Sequence, residues 1–393
     1  MKAGRIAGLL VTLLLVLAAG LWVGGHPATM PPALRDVFVD ESGGLTAEAT
    51  ELIEDNYYRS VADDDLIDSS LQGMARGLRR RYDDRFSEYL SPAILKRFNE
   101  AIEGHFSGIG LSVSAVDRGL RVERVFKGSP AEDAGIDVGD TIASVEGESI
   151  AGLNSTVATE RIKGPEGSEV TIGVLDRGGD EVRELRLTRA EITVPVVSSK
   201  VIEVDGRRLG YIRLATFSEG SHGFLRRAVQ KVRREGAEGL VLDLRANGGG
   251  LLQEAVLAAG IFLPEGTVVV TTESRTQGDA VYEARGGNLP AQPTVVLIDG
   301  NTASAAEILT AALADEAGAK VIGTRSFGKG VFQQEVGLSN GGALKLTIGE
   351  YFTPDGTNLG GNGIRPDVRA RDRGGTTRDE ALGRALDVLA AEQ

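Results

Sequence analysis

From Ile192 onward, short apolar runs alternate with amphipathic stretches, and this alternation constrains the fold more than any other feature of the chain. RLGYIRLATFS reads as a strand, GSHGFLRRAVQKVRREG as a helix, and GLVLDLRANGGG as a buried strand ending in glycines. QEAVLAAGIFL is helical again, TVVVTTESR and TVVLID are strand-like, and AAEILTAALADE returns to helix. AKVIGTRSFG and the hairpin-like VFQQEVGLSNGGALKLTIGEYFTPDG follow. Strands that alternate with helices fold as α/β layers. The 53 glycines fit many turns and close backbone approaches rather than a helical bundle.

Two regions of different character precede this core. From Leu45 to about Glu103 the pattern is helical, with Asp65 and Ser91 as expected caps and Pro92 at a first helical position. The pattern changes at His105. GIGLSVSAVDRGLRVERVF alternates with period two, KGSPAEDAGIDVGDTIASVEG sets a short helix before another strand, and STVATERIKG is a second helix. EVTIGVLDRGGDEVRELRLTR closes the unit with two strands about an RGGD turn. The expected organisation is therefore a targeting segment at 1–25, a linker and helices at 26–104, and a compact domain at 105–189. The α/β core follows at 190–370, and then a carboxyl-terminal helix at 371–393, capped near Thr377.

Lys2 and Arg5 precede an uncharged apolar run at residues 6–23. It is longer than the roughly 7–15 residues of a signal-peptide core and shorter than the about 20 of a membrane helix. Export across the cytoplasmic membrane is expected, to a periplasmic or other extracytoplasmic location. Cleavage as a signal peptide and retention as a membrane anchor both stay open. A net charge of −13 argues against nucleic acid, whose phosphates need clustered Lys and Arg. Cysteine is absent, which removes disulfides, thiol nucleophiles and cysteine metal sites. Of the three histidines, His26, His105 and His222, no two are spaced to share a metal on one helix. The expected chemistry uses no cofactor.

NTASAAEIL places Ser304 at a strand-to-helix joint among small residues. Such a serine caps the helix, or else is a nucleophile whose approach is kept open. A nucleophile needs a base. His222 is the sole histidine of the α/β region, but it sits at a helix start, where a capping or surface role is more common. Lys329, in SFGKGVFQQ, is the alternative, because burial lowers a lysine pKa and frees a neutral amine. Taken alone, a lysine in a glycine-rich loop is usually a solvated turn, and Gln333 an ordinary strand residue. The Ala305 N–H at the helix start and the glycines 248–250 could supply oxyanion donors. No G-x-S-x-G surrounds Ser304, which argues against an ordinary α/β-hydrolase.

Together, DLRANGGG (243–250), NTASAAEI (301–308), SFGKGVFQQ (326–334) and LKLTIGEYFTPDGTNLGGNGIRPDV (344–368) resemble the carboxyl-terminal processing proteases, tail-specific Ser–Lys peptidases. The resemblance covers almost everything after the amino-terminal segment. It implies an α/β protease core of the ClpP/crotonase type with Ser304 as nucleophile, Lys329 as general base and Gln333 holding that lysine. It also carries the oxyanion donors over to the N–H groups of Gly249 and Ala305. Gly248 stands where the family usually has proline, a change expected to loosen the loop without removing the Gly249 donor.

GIGLSV with KGSPAEDAGIDVGDTIASVEG resembles a PDZ domain, which implies that Gly108, Ile109, Gly110 and Leu111 form the loop that binds a peptide's free carboxylate. The partners implied are proteins or peptides with free C-termini; a homo-oligomer is compatible with the reading. The rival reading is a catalytically silent peptide-binding scaffold, and a third is an acyl-transferring, crotonase-like enzyme.

Overall fold

The computed structural model describes residues 41–372 and 378–391. The expected targeting segment, the linker as far as residue 40 and the Thr377 cap lie outside the described residues. No helix of the described residues is long and apolar enough to cross a membrane. The chain divides into two units, one made of residues up to Ser91 with Val336–Lys345, the other of Pro92–Glu335 with Leu346–Gln393.

In the first unit, α1 (Glu41–Asn56) and α2 (Asp63–Tyr82) lead to β1 (Glu88–Leu90). Helix α2 starts after Ala62, so Asp65 lies in the first turn instead of capping it; three aspartates there and three arginines in the last turn oppose the helix dipole. Strand β1 pairs antiparallel with residues 343–345.

The second unit opens with α3 (Pro92–Glu103), which begins at the expected proline. The strands β2 (His105–Gly108), β3 (Leu111–Val116) and β4 (Gly119–Val125) are followed by the one-turn helix α4 (Pro130–Asp133). Next come β5 (Thr141–Val145), β6 (Glu148–Ser149), α5 (Ser155–Ile162), β7 (Glu169–Leu175), β8 (Val182–Thr188) and β9 (Ala190–Thr193). Strands β3-β4-β5-β7-β8 form an antiparallel sheet with β6 beside β5, closed over Leu120, Ile142, Ile172 and Ile150. These strands, where the period-two pattern predicts them, enclose a hydrophobic cluster of their own. The two junctions are not free linkers: β2 and β9 pair with each other, His105↔Thr193 through Gly108↔Ala190.

The core contains β10 (Val197–Val204), β11 (Arg207–Leu214), α6 (Ser221–Arg234), β12 (Gly239–Asp243), α7 (Leu252–Ala259), β13 (Val268–Glu273), β14 (Ala280–Glu283) and β15 (Thr294–Ile298). It continues with α8 (Ala305–Ala317), β16 (Lys320–Gly323), β17 (Val331–Gly337), β18 (Ala343–Phe352), β19 (Val368–Arg369) and α9 (Glu380–Ala391). The central sheet has the order β10-β11-β12-β15-β16-β19, parallel from β11 onward. Successive side chains point to opposite faces. Leu240, Leu242, Val296 and Ile298 meet α6, α7 and α8, while Val241, Val295 and Leu297 meet Leu386 and Leu389 of α9. The carboxyl-terminal helix is thus the second layer of the core.

Candidate active site

Three loops leave the carboxyl ends of adjacent parallel strands β12, β15 and β16, where α/β folds open a crevice for ligands. Backbone bonds tie them together. Ala303 N–H donates to Asn247 O (3.0 Å), Phe327 N–H donates to Thr302 O (2.9 Å), and Thr302 Oγ1 donates to Leu244 O (2.9 Å). The loops carry Gly249, Ser304 and Lys329 respectively, so the fold gathers residues that the sequence keeps far apart.

Ser304 directly precedes α8 and adopts φ 56° and ψ −122°. A non-glycine residue there costs on the order of 1–3 kcal/mol and persists only where its surroundings hold it. Its neighbours Ala303 and Ala305 are buried, while Ser304 keeps partial access to solvent. A Cβ added at Gly249 would lie 2.8 Å from Ser304 Cβ and 3.0 Å from Ala305 N. Only glycine allows this approach, and it sets the 249 backbone beside both the serine and the first N–H of α8. That N–H has no acceptor within its helix.

The holder is Glu307, which is fully buried. Oε2 accepts from the Ser304 N–H (2.9 Å) and the Lys329 N–H (3.0 Å). Oε1 accepts from the Gly328 N–H (2.7 Å) and the Ser326 hydroxyl (2.5 Å). Ser326 Oγ in turn accepts from the Ile364 N–H (2.6 Å). One carboxylate therefore fixes the strained serine turn and the lysine loop to each other, with each oxygen filled by two donors. Sequence reasoning passed over Glu307, although S-x-x-E before an apolar run is a helix-start pattern that could have revealed it.

Gly249 is at the junction, but its N–H donates to Asn247 Oδ1 (2.9 Å) in this conformation. Asn247 is itself buried and anchored through Nδ2 to Leu214 O. The Gly249 carbonyl accepts from Phe217 N–H (2.9 Å) and Thr216 Oγ1 (3.0 Å). The Gln333 side-chain amide donates to Thr347 Oγ1 (3.3 Å) across the hairpin of β17 and β18. Phe327, two residues before the lysine, is 52% exposed.

His222 stands apart from Ser304 in role. Its Nδ1 lies 2.8 Å from Glu254 Oε2, which also accepts from the His222 N–H and the Ser221 hydroxyl; Oε1 accepts from the Gly220 N–H. Burial alone would raise the Glu254 carboxyl, yet these hydrogen bonds outweigh it and hold its pKa below the ordinary value. The cluster secures the start of α6.

In the inserted domain, residues 108–111 line a groove of about 430 Å³. Ile109 is also a core residue, 2% exposed. Gly110 has φ +86°, and a Cβ there would fall 2.1 Å from Ser129 Cβ. Any side chain at 110 breaks this loop rather than merely plugging the groove. The Ile109 and Gly110 carbonyls accept from Ala131 and Phe126 N–H groups, while their own N–H groups have no backbone acceptor among the described residues.

A model of peptidase family S41 matches residues 208–370, and a PDZ domain model matches residues 98–175. The carboxy-terminal processing protease CtpA of Bacillus subtilis (strain 168) is 36% identical over 323 residues, covering 82% of this chain and 68% of its own. A CtpA-like serine protease of Staphylococcus aureus (strain bovine RF122 / ET3-1) is 36% identical over 325 residues, covering 81% of this chain. The chain spans 62% of that relative's length. Among solved structures, the photosystem II D1 C-terminal processing protease is 29% identical with a TM-score of 0.51, covering 88% of this chain and 98% of that one.

Proposed function

This chain belongs to peptidase family S41, the serine-type carboxy-terminal processing peptidases, with a PDZ domain inserted ahead of the core, and we propose that it is an exported endopeptidase that works by a Ser–Lys mechanism. In this reading the neutral Lys329 amine takes the proton from Ser304 Oγ as that oxygen attacks the scissile carbonyl. The negative charge that develops on the carbonyl oxygen is met by the N–H groups of Ala305 and Gly249. The Lys329 ammonium then protonates the leaving amine, and water hydrolyses the acyl-enzyme with the same amine as base. The PDZ groove takes the free C-terminus of the substrate, and Gln333 orients the amine. The apolar run at 6–23 supports export.

The observation that carries this reading is the Glu307 bridge, which serves both the Ser304 and the Lys329 backbone with one oxygen. A silent scaffold has no use for a strained serine turn held at such cost. The Gly249 N–H completes the oxyanion pair only when it shares or leaves its bond to Asn247, so substrate entry involves a small rearrangement of the 247–250 loop.

The test is cleavage of an unfolded protein. Ser304→Ala and Lys329→Ala each lower kcat on the order of 10⁴-fold or more, and the double variant is no worse, because the two residues act as a unit. Near-normal turnover in Lys329→Ala, or an equal loss in His222→Ala, would overturn the assignment. Activity rises with pH through one ionisation below the about 10.4 of free lysine.

A further inference from the structure

Helix α3 leads directly into the PDZ domain, and its residues Arg97, Glu100 and Ala101 share one face at helical spacing. That face lines the groove together with the 108–111 loop. Glu100 forms an ion pair with Lys163, the residue that follows α5, and the two side chains are only 20% and 18% exposed. Among the residues lining the groove Glu100 is the single acid, against Arg97 and Lys163.

Lys163 is held close to the carboxylate-binding loop by three contacts. Its Nζ lies over the Phe106 ring, 5.5 Å from the centroid, and that ring is 3.1 Å from the Cβ position of Gly108. Ser107 Oγ donates to Gly164 O (2.7 Å), joining the loop strand to the end of α5. Arg189 Nε donates to Ile162 O (2.7 Å), fixing the last turn from which Lys163 projects. The cation thus lines the same groove as Ile109 and Gly110, with Phe106 between it and Gly108.

We infer that the Glu100 carboxylate is an internal stand-in for a ligand's terminal carboxylate: Lys163 is the cation that recognises the peptide end, and a peptide enters only by displacing Glu100 from it. The exchange swaps one carboxylate for another at a half-buried cation. A peptide amide, which brings no charge, cannot compensate the broken pair. The groove therefore discriminates free C-termini from internal or blocked segments more strongly than backbone N–H donors alone would. This rests on the reading of the groove as the C-terminus site.

The experiment uses the full chain carrying Ser304→Ala, so that bound peptide stays intact. A labelled peptide with an apolar last residue, as free acid and as amide, is titrated by fluorescence anisotropy. Glu100→Gln tightens the acid about fivefold, and the amide, which must break the same pair to enter, tightens by a similar factor. Lys163→Met weakens the acid to the level of the amide, and adding Glu100→Gln to it brings no recovery. Lys163→Arg retains the preference, which separates loss of charge from loss of fold. If the wild-type chain prefers the acid but Glu100→Gln fails to tighten it, the stand-in is refuted while the groove's function stands. If the wild-type chain binds acid and amide equally, the C-terminus reading itself fails.

Discussion

Two buried glutamates perform the same physical task at two corners of the core, and their difference separates what the catalytic corner requires from what its support requires. Glu307 holds the turn of Ser304 and the loop of Lys329; Glu254 holds the turn of residues 220–222 at the start of α6. The donors to Glu307 are backbone N–H groups and one hydroxyl, none of which titrates near neutrality. Glu254 takes a histidine ring among its partners, and that ring is 34% exposed. At Glu254 the carboxyl lies below its ordinary value, so this clamp is loosened only when acid protonates the carboxylate itself. Between them lies the glycine loop, whose Asn247 carbonyl is bonded to Ala303 on one side and whose Gly249 carbonyl is bonded to Phe217 on the other.

Glu307→Gln is the sharpest way to break this contrast. Whichever way the amide turns, its NH₂ faces two donors, because each carboxylate oxygen already receives two. Leaving them unpaired costs about 1–3 kcal/mol each. The Ser304 and Lys329 backbones lose their common anchor, and kcat falls about 10²-fold, the penalty expected for a displacement near 1 Å. Steady-state kinetics with folded, monodisperse variant checks this. Unchanged kcat would show that the bridge serves stability alone.

Gly249→Ala comes next. The new methyl would collide with Ser304 Cβ and the Ala303 carbonyl at 2.8 Å, in a residue whose φ is +99°. Activity drops at least tenfold, because the displaced loop misaims the 249 N–H, which the substitution retains; outright removal of one oxyanion donor costs about 10²–10³. Gly248, one residue earlier, is the control: a Cβ there meets nothing within 4 Å and its φ is not left-handed. Gly248→Ala keeps activity within about twofold and raises stability by a few tenths to about 1 kcal/mol, through the unfolded chain.

Glu254→Gln is milder than Glu307→Gln. An amide at 254 can keep its oxygen towards Ser221 and His222 and leave one N–H, that of Gly220, facing the NH₂. We expect a loss of about 1–3 kcal/mol in unfolding free energy and a modest change in kcat. Because the folded carboxyl lies below its ordinary value, its contribution is fully present above about pH 4.3. It is lost as pH falls through the folded value. Amide hydrogen exchange at residues 220–222 measures this directly: protection falls with acid in the parent chain and is flat in Glu254→Gln. Equal pH dependence in both would assign the effect to another group.

Much of the arrangement is legible in the chain. The alternation after Ile192 gives the α/β core, and the change to period two at His105 gives the inserted domain. The small residues about Ser304 point to the turn, and Pro92 to the start of α3. Other features are not legible locally. The segments EGHFSG and TRAEITVP, on either side of the inserted domain, pair as β2 and β9. Their hydrogen bonds join residues separated by a whole domain, so no local pattern announces them. Asp65 looks like a cap because aspartate favours that place, but α2 begins two residues earlier.

What the sequence by itself determined is the set of elements and the short segments that carry chemistry. Periodicity, turn residues and small side chains report backbone geometry within a few residues of themselves. Tertiary structure alone decided which partners those segments meet. Ser304 and Lys329 share Glu307 because the loops after β15 and β16 converge at the carboxyl ends of adjacent parallel strands. The Gly249 N–H points at Asn247 because its loop is folded back on Leu214. Lys163 faces Glu100 because a helix outside the PDZ sheet packs along its groove. The bonds from Lys329 to Glu307 and from Asn247 to Leu214, and the ion pair of Lys163 with Glu100, join distant positions and are fixed by the packing of whole elements. The local free energies that write a sequence pattern do not contain that packing.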